Sequence, residues 1–153
     1  MDMNASYNKL VTKHLPKAQI VYDRFHMQSQ FGRDVLGVVR LDEARRHKAK
    51  EKEILADISD DTDKETMKSH KQEAKAEKQG YSQLKKLRWS LLINSDKLSD
   101  SKTEQLQSIL QDHHDLAVCY AMKEKMCRLY ELTDYQQSVT GWTKWFQAAK
   151  ESE

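Results

Sequence analysis

This sequence is short of turn-formers: one proline and four glycines in 153 residues cannot supply the turns of a many-stranded sandwich. The glycines, at 32, 37, 80 and 141, are too scattered to cradle a phosphate, which excludes nucleotide-loop enzymes. No apolar run approaches the ~18–20 residues needed to cross a bilayer. The N-terminus also lacks the charged, apolar and small-residue order of a signal peptide, so a cytoplasmic chain with no membrane partner is expected. Cys119 and Cys127 are the only cysteines. On one helix they stand about 12 Å apart along its axis, beyond disulfide reach, and they are expected to be reduced and packed.

Charge of one sign is also scarce. The net charge of +2 does not by itself announce a nucleic-acid partner. Its distribution is uneven: +5 over residues 1–50, −3 over 51–80 and zero over 81–153. A phosphate-facing surface is therefore expected in the first third, from Lys9, Lys13, Lys17, Arg24, Arg33, Arg40, Arg45 and Arg46. The alternative for these residues is an ordinary solvated face.

Charged residues make up 33% of the chain and hydrophobic ones 38%, against roughly 25% and 45–50% in an average domain, so much of the chain stays in water. Lys, Glu, Gln, Leu and Ala are good helix formers, and the length suits one domain; the fold class expected is mainly α. Tyr7, Leu10, Val11 and His14 mark a helix over about 5–15, capped by Asn4 and ended by Pro16. Gln19 to Asp23 reads as one short β-strand. From Met27, the spacing of Phe31, Val35, Val38 and Val39 predicts a long helix that fades into a polar excursion at about 45–80, either a helical hairpin or a frayed segment, broken at Ser59–Asp63.

Further helices are expected after Gly80 (Tyr81, Leu84, Arg88, Leu91, Leu92), after a Ser101–Glu104 capping box (Leu106, Ile109, Leu110), and along the stripe Leu116, Tyr120, Lys123, Cys127, Tyr130. The last helix carries Val139, Trp142, Trp145, Phe146 and Ala149, with Gly141 marking a close neighbour.

Few residues offer chemistry. His113, His114 and Asp115 are adjacent on a helix, diverge by about 100° and cannot all face one ion; a solvated helix start is expected. Nothing places a histidine beside either cysteine. Trp142, Trp145 and Phe146 could stack bases, but their helical spacing favours core or interface. Asp2 precedes a helix, and Asp23 and His26 end the predicted strand, where carboxylates can hold divalent metals. The alternative makes Asp2 a frayed terminus and Asp23 a helix cap beside His26.

Asp2-Met3, "HLPKAQIVYDRFHM" at 14–27, "VVR" at 38–40, "LKKLRWSLLINSDKLSD" at 84–100 and "LAVCYAMKEKMCRLYEL" at 116–132 together resemble transposases of the bacterial ISL3 insertion-sequence family. The resemblance covers most of the chain except 51–80. It implies a DDE transposase with an RNase H-like core, in which two Asp and one Glu hold two Mg²⁺ ions for phosphodiester chemistry. Asp2 looks like the second acid, a metal ligand only in a complete site, and Asp23 with His26 looks like the family's Asp-x-x-His element. Residues 1–26 would then be a remnant of the core, helix plus strand, and 27–153 an all-helical insertion domain.

The first acid would lie upstream of Met1 and the closing Glu beyond Glu153. The expectation is therefore a truncated transposase, inactive alone and holding no cofactor. Its expected partners are DNA, a second copy in a homodimer, or the full-length transposase. The alternatives are a helical dimerisation or protein-interaction module and a non-specific DNA binder.

Overall fold

The computed structural model describes residues 5–59 and 63–152. Asp2 and the predicted cap Asn4 lie outside them. Among the described residues the protein is a helical bundle with no strand. The chain divides into two compact units, residues 1–35 with 122–153 and residues 36–121.

In the first unit, α1 (Ala5–His14) forms where the apolar spacing predicts it but buries none of its residues. It unwinds at Pro16, and Asn8 Nδ2 donates to the Tyr22 hydroxyl at 2.9 Å. The strand expected at 19–23 does not form: residues 18–23 have no regular structure. A lone strand gains nothing from β propensity without a neighbour to complete its ladder, and no strand among the described residues supplies one. Asp23 instead caps α2 (Arg24–Phe31), which continues through a π-helical turn (Gly32–Leu36) into α3 (Gly37–Ala56).

The core of this unit is made by the C-terminal half of α7 (His114–Leu129) and by α8 (Tyr135–Glu151). Met126, Leu129 and Trp145 are buried together, with Phe31, Met122, Tyr130, Trp142 and Ala149 packed around them. The Trp145 indole N–H donates to the Met122 carbonyl at 2.8 Å, so the ring is buried without an orphaned donor. A Cβ at Gly141 would lie 2.4 Å from Leu129 Cδ2; the close approach expected there is real. Asp134 starts α8, its carboxylate accepting from Gln137 N at 2.7 Å.

In the second unit, α3 and α4 (Lys64–Lys86) form an antiparallel hairpin, which settles the choice between a hairpin and a frayed excursion. Less exposed positions recur at three- and four-residue steps: Arg40, Ala44, His47, Glu51 and Ile54 on α3, with Ile58 just beyond its end, and Met67, His70, Ala74, Glu77, Tyr81 and Leu84 on α4. This is the seam of a two-helix coiled coil, with half of its rungs polar. The predicted helix start at Gly80 is a correction. Helix α4 runs straight through Gly80, because the absence of a side chain there admits the His47 ring: a Cβ would sit 2.8 Å from it.

Short α5 (Arg88–Leu92) and a 3₁₀ turn (Ser95–Lys97) lead to α6 (Asp100–Asp112). Ser99, not Ser101, occupies the N-cap position of α6, and its side chain makes no capping bond. Among the described residues no helix is long and apolar enough to cross a membrane.

Candidate functional site

The segment that sequence reasoning singled out is built around the start of α2. Asp23 accepts from the backbone N–H of Phe25 at 2.7 Å and of His26 at 3.2 Å. These bonds, that of His26 first, hold its carboxyl below the ordinary aspartate range. His26 Nδ1 lies 3.5 Å from the same oxygen, and its ring meets Phe25 edge-on at 5.9 Å. The Asp-x-x-His element is thus a helix cap with its histidine folded back on the capping carboxylate. Asp2, the other acid of interest, lies outside the described residues.

Mg²⁺ chemistry needs several hard oxygen ligands converging on one point. Among the described residues no group of three His, Cys, Asp or Glu side chains converges in this way. The Asp23 oxygen that accepts both backbone bonds is already engaged. The described residues therefore do not by themselves fit the two-ion site that the family resemblance implies.

The basic residues of the first third have different fates. Lys9, Lys13 and Lys17 are exposed on and just after α1. Arg24 reaches the end of α7, donating to Glu131 at 3.2 Å and to the Cys127 carbonyl at 3.4 Å, and lies over the Tyr130 ring. Arg33 pairs with Asp34, Arg45 with Asp42 and Arg46 with Glu43. Arg40 is buried and donates to the Leu84 carbonyl at 3.0 Å, satisfying the C-terminal end of α4. Burial, and then the charge of Arg88, lowers its pKa from the ordinary arginine range. Of this set, only the three lysines thus stand exposed to solvent without a described carboxylate partner.

Both cysteines are free thiols. Burial raises the pKa of each, so neither is poised as a nucleophile, as the sequence indicated. Trp145 is core, while Phe146 beside it is exposed.

One constellation escaped sequence reasoning. His113 is not at a solvated helix start: its Nδ1 is 3.0 Å from a Glu43 oxygen, and both side chains are close to buried. The His113 ring meets that of His47 edge-on, with centroids 5.2 Å apart, and His47 Nδ1 bonds Glu77 at 2.5 Å. Two carboxylate–imidazole pairs therefore stack in the second unit, tying α4 to α3 and α3 to the residue that opens α7. The signal available was the placement of His47 and Glu77 at seam positions of a coiled-coil repeat. It was obscured because those positions are polar.

Comparison with known proteins supplies the class that this geometry alone leaves open. A family model described as a transposase, of the ISL3 DDE type, matches residues 1–153. The chain belongs to that family of insertion-sequence transposases. A relative, the transposase for insertion sequence element IS1001 of Bordetella parapertussis, is 25% identical over 152 residues, which cover 99% of this chain and 31% of the relative. The chain thus spans about a third of that relative's length. No solved structure matches.

Proposed function

We propose that this chain serves DNA transposition as the helical part of an ISL3 transposase, contributing contacts to DNA and to protein and no complete catalytic centre. The observation that carries this reading is the family match across the whole chain, set beside a relative of which the chain covers 31%. In this reading residues 1–26 belong to the edge of an RNase H-like core and 27–153 to the helical insertion. Asp2 would become a Mg²⁺ ligand only when the other acids join it, while Asp23 and His26 shape the neighbouring turn. Lys9, Lys13 and Lys17 are the members of the predicted basic set that are open to phosphate. A titration against duplex DNA at about 50 and 200 mM salt tests the reading, since each neutralised phosphate releases counterions. Affinity falling steeply with salt is expected, and no binding at the lower salt contradicts it.

A second reading, a dimerisation or interaction module, is favoured by α1 and the segment after it. Tyr7, Leu10, Leu15, Val21 and Phe25 are all more than half exposed, an unusual amount of apolar surface for one short stretch. Burying that stretch against a second copy or the full-length transposase would shield it from water. Sedimentation at high protein concentration decides the homodimer: dimers are expected, and a monomer contradicts it.

A further inference from the structure

Residues 51–80, net −3 along the sequence, separate their charges once folded. Helix α4 carries seven lysines and three glutamates. Lys64, Lys68, Lys71, Lys75, Lys78 and Lys85 recur at steps of three, four or seven residues, and all are exposed. At 100° per residue they share one arc of about 100°, from which Glu65, Glu73 and Glu77 are absent. None of the six forms an ion pair among the described residues; Lys71 alone has a polar contact, to the Met67 sulfur. From the facing helix, Lys48 lies over the Tyr81 ring at 5.7 Å, beside the same arc.

A solvated helix face ordinarily mixes signs, because Glu–Lys pairs at three- and four-residue spacing stabilise it and like pairs oppose it by about 0.2–0.5 kcal/mol each. Here four successive steps, 64 to 68, 68 to 71, 71 to 75 and 75 to 78, pair lysine with lysine. Lys64 also stands in the first turn, where the helix dipole disfavours a cation. The helix therefore accepts repulsion over about 21 Å, and with Lys85 the row extends about 32 Å, close to one turn of duplex DNA. A polyanion with regularly spaced charges relieves that repulsion.

We propose that the α4 lysine row is a phosphate rail for the DNA backbone, sequence-independent in its contacts and distinct from Lys9, Lys13 and Lys17. This rests on the transposase reading given above. The seam of the hairpin, through His47–Glu77 and Arg40–Leu84, fixes the side of α4 on which the row stands.

The test uses the whole chain with Lys68, Lys71, Lys75 and Lys78 changed to Gln, a 30-base-pair duplex, and a salt series. The unmodified chain is expected to show a steep salt slope. The variant is expected to lose about 3–4 from that slope, at about 0.9 per contact, and at least about tenfold in affinity at 100 mM salt. Its thermal midpoint at low salt should be unchanged or raised, because like charges have been removed, which separates lost binding from lost folding. An unaltered slope in the variant overturns the rail. If Lys9, Lys13 and Lys17 changed to Gln then abolish binding, the transposase reading survives without it. No binding by the unmodified chain at low salt overturns both.

Discussion

The α7–α8 pair and the α3–α4 hairpin are both helix on helix, yet they are held by different physics. At α8 the contact is apolar: Trp145, Met126 and Leu129 are buried, and the indole N–H has its acceptor. In the hairpin the seam holds Arg40, His47, Glu51, His70 and Glu77 among small and aliphatic residues. Hydrophobic burial is non-directional and survives modest repacking, whereas paired polar groups specify register but tolerate no loss of a partner. One pair supplies stability and the other a defined alignment of two long, otherwise solvated helices.

Substitutions can break this contrast. The largest effect is expected from Trp145→Ala, which removes the central ring of the α8 core and its hydrogen bond to the Met122 carbonyl; the loss should be about 3–5 kcal/mol, read by denaturant unfolding. A loss below about 1 kcal/mol would mean that this core is not the principal support of its unit. Gly80→Ala should follow at about 1–3 kcal/mol, although alanine is the better helix former. The added Cβ meets the His47 ring, and Glu77 prevents that ring from swinging away. A stabilising Gly80→Ala would show that the hairpin seam is looser than described.

The smallest expected effect is at Asp23, whose change to Ala removes the α2 cap and should lower the thermal midpoint by roughly 2–4 °C at neutral pH. Because its folded pKa lies below the ordinary aspartate range, the cap is fully stabilising above about pH 4–5 and is lost as pH falls through the depressed folded value. The difference between wild type and variant should therefore vanish at low pH. A difference that persists there would assign the effect to something other than the carboxylate.

The same contrast explains what was legible in the sequence. Helix α8 could be read from Val139, Trp142, Trp145 and Phe146 because its core is apolar and periodic, and α7 and the close approach at Gly141 were read in the same way. The hairpin was less clear: a seam written in Arg, His and Glu carries no hydrophobic signal, and Gly80 looked like a boundary where it is a notch for the His47 ring. The strand at 19–23 failed for another reason, since β-branched propensity is realised only in a sheet and the described residues contain no partner strand. His113, read as solvated, became half of a largely buried pair because Glu43 arrives from 70 residues away. The lysine row was hidden because net charge summed along the segment cancels charges that the helix separates in space.

The central claim is that this chain contributes DNA contacts to transposition without a complete metal centre of its own. Its most direct test is to incubate the chain with short duplex DNA, with Mg²⁺, with Mn²⁺ and with a chelator, scoring strand cleavage beside binding. The account predicts binding of equal strength with the chelator at matched ionic strength, and no cleavage in any condition. Metal-dependent cleavage abolished by Asp2→Ala would contradict it.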